Sequence, residues 1–149
     1  MKEFVVHHEI QSETELESLK QFLRGNNLPA DDIALANSLF LVYYNTHEVL
    51  VGSGGLEFYH NLALLRSLAV SQEIRGQQLG KEIVDQLLKE ARQRNVREVY
   101  LLTQTASFFF QKIGFKPIDR KSVPDAIQKS GEFATVCSPS AEVLMLKLH

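Results

Sequence analysis

The sequence predicts one α/β domain built on a mixed, mostly antiparallel sheet of about six to seven strands, flanked by about four helices. Three observations carry that expectation. Apolar, β-branched and aromatic runs at 39–44, 49–59 and 62–70 follow one another across short turns, which is the signature of an antiparallel meander. The most strongly amphipathic stretch of the chain then leads into another apolar run at 96–103, and strand-helix-strand order calls for a parallel pair joined by a right-handed crossover. The alternation Val143-Leu144-Met145-Leu146-Lys147-Leu148 supplies a last strand.

The elements follow in order. Phe4 to Glu9 reads as a short strand, and Ser12-Glu13-Thr14-Glu15 forms a capping-box pattern ahead of Leu16, Leu19, Phe22 and Leu23 at helical spacing. Gly25-Asn26-Asn27 ends that helix. Pro29 and the pair Asp31-Asp32 favour a second helix start, with Ile33 and Leu35 as its apolar anchors. Asn45-Thr46-His47 and His60-Asn61 are the turns of the meander. The unbroken apolar character of 62–70 suits a strand buried on both faces. Leu79, Ile83, Leu87 and Ala91, flanked by Val84 and Leu88, trace one stripe of a long helix whose other face carries Lys81, Asp85, Lys89, Arg92 and Arg94. Ala106 to Ile113 is a short helix stopped by Gly114, and a strand follows around Phe115 to Asp119.

Composition narrows the function classes. The 149 residues, 44% hydrophobic and 23% charged, describe one ordinary globular domain able to bury its own core. A formal net charge of -2 offers no basic field for a phosphate backbone, so nucleic acid is not an expected partner. The single cysteine, Cys137, cannot form an internal disulfide, and no Cys/His cluster has zinc spacing, so no metal is expected. The N-terminus lacks the pattern of a signal peptide and no run approaches the roughly 18 apolar residues of a membrane helix, which points to a cytoplasmic protein without a membrane partner.

The chemistry-bearing stretch runs from Leu65-Arg66-Ser67-Leu68-Ala69-Val70 through Ser71 to Ile74 into Arg75-Gly76-Gln77-Gln78-Leu79-Gly80 at the start of the long helix. A strand entering a glycine-bearing loop at a helix N-terminus presents backbone N–H groups and the positive end of the helix dipole, a setting suited to phosphate. Ordinary turn glycines give the same pattern. Gly76 and Gly80 allow close backbone approach, and Arg75 adds positive charge.

This strand, Arg-x-x-x-x-Gly, helix arrangement resembles the pyrophosphate loop of the GNAT acetyltransferases. Gln78 departs from it where the family carries its middle glycine. Ala106-Ser107-Phe108-Phe109-Phe110-Gln111-Lys112-Ile113-Gly114-Phe115 resembles the family's second motif, with Phe110 where a thiolate-protonating tyrosine usually stands. The resemblance implies a GNAT fold with a parallel splayed pair of strands around the CoA site. It also implies direct transfer from acetyl-CoA to a small amine in a ternary complex. Leu68, Ala69 and Val70 would then pair with the pantetheine arm, and the Val70 N–H is a candidate donor to the oxyanion. Arg75, Gly76, Gln77, Gln78, Leu79, Gly80 and Lys81 would hold the pyrophosphate, and Ser107, Phe109 and Phe110 would complete the CoA site. A homodimer stays open.

The segments Leu28-Pro29 with Asp32, Gly55-Leu56-Glu57, Leu64 to Val70, Tyr100-Leu101-Leu102-Thr103 and Glu132-Phe133 are similar to the arsenic-resistance-associated N-acetyltransferases. Leu102-Thr103-Gln104-Thr105-Ala106 is also similar to the acetyltransferase domain of N-acetylglutamate synthases, with Gln104 in place of an arginine. A glutamate-type amino-acid N-acetyltransferase is therefore one alternative. A catalytically silent CoA-binding module is another, suggested by Gln78 and Phe110.

Glu57 interrupts an apolar strand and is a candidate general base, or else the exposed side of a half-buried hairpin. Glu132, in the irregular Ser130-Gly131-Glu132-Phe133 stretch, is the second candidate, or else a solvated loop acid. Arg66 stands in an apolar strand and requires a counter-charge, which an acceptor anion, Glu57 or Glu132 could each supply. Thr103 and Thr105, two apart on one strand face, could hydrogen-bond the acceptor, or simply reflect β-propensity. Cys137 reads as a packed or substrate-adjacent thiol, since direct transfer needs no covalent carrier.

Overall fold

The computed structural model describes residues 6–74, 78–133 and 140–148. Among them seven strands form one sheet in the order β1-β2-β3-β4-β5-β7-β6, with β1 at Val6–Glu9, β2 at Ser38–Tyr44, β3 at Leu50–Tyr59, β4 at Leu62–Val70, β5 at Glu98–Thr103, β6 at Lys116–Ile118 and β7 at Glu142–Lys147. All neighbours run antiparallel except β4 and β5. The helices are α1 (Glu13–Gly25), α2 (Leu79–Gln93), α3 (Ser107–Ile113) and α4 (Asp125–Gln128). No helix among the described residues is long and apolar enough to cross a membrane.

The α2 stripe packs as its periodicity requires. Leu79, Ile83, Val84, Leu87, Leu88 and Ala91 are buried against one sheet face with Leu39, Leu41, Val51, Leu56, Ala63 and Leu65. The contact is close because β3 carries glycines under it. A Cβ on Gly54 would lie 2.6 Å from Ile83 Cγ2 and 2.8 Å from Leu87 Cδ1, well inside van der Waals contact. The opposite face is covered in two parts. Leu16, Leu19 and Leu23 of α1 bury Phe40 and Val42, while Val123 and Ile127 around α4 bury Leu64, Tyr100 and Val143.

Ser12 caps α1 as expected, accepting a hydrogen bond from the Glu15 N–H at 3.2 Å. Its other end closes with Asn27 in the left-handed region (φ 60°). Leu28 N–H reaches the Leu23 carbonyl at 2.9 Å and Asn27 N–H the Arg24 carbonyl at 3.1 Å.

The helix expected after Pro29 does not form; residues 29–37 make turns instead. So short a stretch with two apolar anchors cannot offset the cost of nucleating a helix, and tertiary contacts hold it in another shape. Ala30 and Ile33 enter the α1 core, while Asp32 turns to Arg66. The fourth helix is α4, at a Pro124-Asp125 start that the sequence reading passed over.

Two irregularities in β4 shape the site. Between Ser53↔Ala69 and Gly55↔Arg66 the register shifts by one residue, and Ser67 adopts φ 61°. This bulge sends Arg66 and Ala69 to the same face, where strict alternation would separate them. The second is that the parallel pairing with β5 extends only from Leu62↔Glu98 to Leu64↔Tyr100. Beyond Leu64 the strands part, and a cleft opens between them.

Candidate active site

Two clefts lie along this opening. The first, about 580 Å³, is lined by Val70, Ile74, Gln78, Leu79, Gly80, Lys81, Phe109, Lys112 and Ile113. It sits at the N-terminus of α2, where the Gln78 side chain makes no capping hydrogen bond. Gln78 itself has φ 66°, the left-handed conformation that glycine adopts without strain. The departure from the family pattern therefore keeps the loop's backbone shape at this residue and places a side chain on it. Gly80 leaves the wall open, since a Cβ there would already touch Phe109 Cζ at 3.4 Å. Lys81, whose Nζ pairs with Asp85 at 2.9 Å, and Lys112 are the charged side chains among the described residues lining this cleft.

The second cleft, about 400 Å³, is lined by the α1 end (Asn26, Asn27, Leu28, Pro29), by Leu65 to Leu68 of β4, by Leu101 to Ala106, and by Phe110, Glu132 and Ala141. Thr103 and Thr105 both line it, but not as neighbours on one strand face, because β5 ends at Thr103. The Thr103 hydroxyl oxygen accepts the Ala106 N–H at 2.9 Å. Leu68 lines this cleft and Val70 the first; Ala69 between them faces the α1 core.

At the side of this cleft four charged side chains meet. The Arg66 side chain is fully buried and donates to Asp32 through both ends of its fork, Nη1 to Oδ2 at 2.5 Å and Nη2 to Oδ1 at 2.7 Å. Nη1 also donates to Glu57 Oε2 at 3.1 Å, and Nε lies 3.6 Å from Glu132 Oε2. The other Glu57 oxygen accepts the Tyr59 hydroxyl at 3.0 Å. Glu57 therefore has both oxygens engaged, and Arg66 is surrounded by internal carboxylates. Burial opposes the Arg66 charge, but hydrogen bonds to Asp32 and the charges of Glu132 and Glu57 more than compensate and keep its pKa above the ordinary range.

Glu132 differs from its partners. It is 8% exposed, its Oε1 is buried with no hydrogen-bond partner, and it lines the cleft. Burial lifts its pKa to about 7; Arg66 pulls it down, while Glu57 and Asp32 push it further up. Ser67 Oγ is likewise buried without a partner at the same cleft. Gly131 sits where it does because Asp32 leaves no room for a side chain, since a Cβ there would lie 2.6 Å from Asp32 Oδ2.

The structure thus gathers Arg66, Glu57 and Glu132 into one cluster and adds Asp32, which the sequence reading had placed in a helix start. The hints at Asp32 were a carboxylate between the apolar Ala30 and Ile33 and its place in a segment similar to the arsenic-resistance-associated N-acetyltransferases. Ser67, Asn26 and Asn27 were also missed as cleft residues. Phe110 is buried in edge-to-face contact with Phe109 and Phe115 and reaches the second cleft. Ser107, expected at the CoA site, lines neither cleft; its hydroxyl donates to Glu142 Oε2 at 2.6 Å. Arg75, Gly76, Gln77 and Cys137 lie outside the described residues.

Residues 5–115 match the acetyltransferase (GNAT) family. An uncharacterized N-acetyltransferase of Chlorobaculum tepidum is 33% identical over 79 residues, which is 52% of this chain and 50% of that protein; the match thus spans half the length of that relative. Among solved structures, a GNAT-family acetyltransferase from Staphylococcus aureus superposes with a TM-score of 0.73 at 18% identity, over 97% of this chain and 100% of that one. The N-acetylglutamate synthase of Neisseria gonorrhoeae, complexed with coenzyme A and N-acetyl-glutamate, gives 0.78 at 16% identity, over 100% of this chain and 36% of that one. These two likenesses establish the fold.

Proposed function

The chain belongs to the acetyltransferase (GNAT) family, and from that premise we propose that it transfers the acetyl group of acetyl-CoA directly to the nitrogen of a small amine, with Glu132 as general base. The observation that carries this reading is Glu132 itself: a buried carboxyl at the cleft wall, with one oxygen unpartnered and a pKa raised to about 7. A base is most effective when its pKa lies near the working pH, because it is then both ionised and able to hold the proton it takes. Acetyl-CoA supplies the activated acyl group.

The residues present fit such a donor. The first cleft offers lysines and the α2 N-terminus for phosphates, and Gly80 leaves the wall open. Arg75, Gly76 and Gln77 would extend that site on the strength of their place in the loop. Where β4 has left β5, Leu68 to Val70 present a strand edge for an extended amide-bearing arm. The two clefts share the β4 edge, so an acyl group held in one lies beside an amine held in the other.

Glu132 takes the ammonium proton, directly or through one water, and leaves a nucleophilic amine. Glu57 and Asp32 act through Arg66: they hold its guanidinium, whose Nε lies 3.6 Å from Glu132 Oε2 and sets a positive charge beside that carboxyl. We place them as positioning residues rather than as bases. Phe110 has no proton to give, so the departing thiolate must draw on another donor.

The arsenic-resistance-associated and glutamate-type readings would both set Arg66 on an anionic group of the acceptor. Its engagement with Asp32 and Glu57 counts against both. Release of CoA from acetyl-CoA, followed with a thiol reagent over small primary amines and amino acids, tests the proposal. Acetyl-CoA binding without turnover of any amine would favour the silent CoA-binding module.

A further inference from the structure

We propose that the acceptor is a cationic primary amine that carries no carboxylate, phosphate or other anionic group, such as an amino alcohol, amino amide or polyamine. The inference rests on the acetyl-transfer reading and concerns the second cleft. Three carboxylates, Asp32, Glu57 and Glu132, lie within ion-pair distance of one guanidinium. The cluster therefore carries a net charge of -2 with Glu132 ionised and -1 with it protonated. In either state it attracts an ammonium and repels an anion.

Arg66 is the one cationic side chain among the described residues that line this cleft, and its Nη atoms are held by Asp32 and Glu57. The adjoining wall is uncharged, formed by Asn26, Asn27, Thr103, Gln104 and Thr105. An acceptor carboxylate placed on the Arg66 Nη atoms would have to displace Asp32 from a bidentate contact within the fold, and would leave that part-buried carboxylate unpaired. The contrast with the first cleft is direct, because there Lys81 and Lys112 face the opening. One end is built for anions and the other for a cation.

Three buried polar atoms at the cleft lack a hydrogen-bond partner, Glu132 Oε1, Ser67 Oγ and Arg66 Nε; the last lies 3.6 Å from Glu132 Oε2, and the other two point to a ligand of this kind. Glu132 Oε1 is an acceptor without a donor, and Ser67 Oγ is a hydroxyl without a partner, on residues each 8% exposed. Buried polar groups are rarely left unsatisfied unless a bound molecule or water completes them. An ammonium completes the first, and an oxygen acceptor on the same ligand completes the second. An amino alcohol offers both without adding negative charge.

The test compares leucine with leucinol and alanine with alaninol, pairs whose amines have similar basicity and which differ in the carboxylate. Two measurements are made on each pair: kcat/KM for CoA release, and binding to the CoA-saturated protein by calorimetry. The amino alcohol should be favoured at least tenfold in both. Equal values, a preference for the amino acid, or no binding of either amino alcohol would overturn the proposal. Asp32→Asn removes one negative charge and frees part of the guanidinium, so it should narrow the preference several-fold; an unchanged ratio in a folded variant would also overturn it. A protein that binds no acetyl-CoA would instead remove the acetyl-transfer reading itself, an outcome the calorimetry separates from a wrong acceptor class.

Discussion

Replacing Glu132 with glutamine keeps the shape of the side chain and removes both its charge and its basicity. In the folded chain this carboxyl ionises near 7, against an ordinary value of 4.5. Its folded pKa is raised, so the stability it contributes is full below about pH 4.5 and is lost as pH rises through about 7. Each pH step across that window is worth 1.36 kcal/mol, so the parent should lose on the order of 3 kcal/mol between the two limits through this group. The variant should not. Glu132→Gln is therefore expected to match or exceed the parent's stability at pH 8, despite substituting a buried cluster member. Among the charged groups facing Glu132, Asp32 and Glu57 stay paired with Arg66, and Tyr59, lifted to about 12 by burial and by Glu57, lies outside the window. Urea midpoints measured from pH 5 to 8 read the stability. Initial rates of CoA release read the chemistry: the parent's kcat/KM should rise with pH through an apparent pKa near 7. The variant should lose that limb and fall about 10²–10⁴-fold in turnover, with acetyl-CoA affinity unchanged. A parent midpoint that does not fall between pH 5 and 8, together with a fully active variant, would refute Glu132 as a buried base.

Arg66→Ala strands three carboxylates around a buried void and should cost about 3–5 kcal/mol, read as a collapsed denaturant midpoint; a midpoint near the parent's would return Arg66 to the acceptor site. Gly80→Leu should weaken acetyl-CoA binding by calorimetry while the fold is retained, because a side chain there projects toward Phe109 and fills the first cleft. Gln78→Val should lower stability by roughly 1–2 kcal/mol, because a β-branched residue is strained at φ 66°, while Gln78→Gly should stay close to the parent by thermal unfolding.

What the chain reveals locally, it reveals well. The meander β2-β3-β4 and the α2 stripe were legible because alternation and the 3.6-residue period are properties of neighbouring residues, and burial of one face follows from them. The start of α2 and the helix of the second motif were legible for the same reason, as short spacings on single elements. The segment after Pro29 shows where this fails. Asp31-Asp32 has the local chemistry of a helix start, yet the ion pair of Asp32 with Arg66 and the burial of Ala30 and Ile33 outweigh so weak a propensity.

The sequence by itself therefore determined the class of fold, the order of its strands and the family, and it singled out Glu57, Arg66 and Glu132 as residues whose charge needed explaining. It left open what each of them faces. That was decided by tertiary structure, through the bulge at Ser67 and the parting of β4 from β5 after Leu64. The bulge keeps Arg66 and Ala69 on one face, and the chain folds Asp32 and Glu132 onto that guanidinium from far-separated positions. Charge pairing depends on distance in space, and no local pattern encodes the distance between residues whose separation only the packed sheet sets.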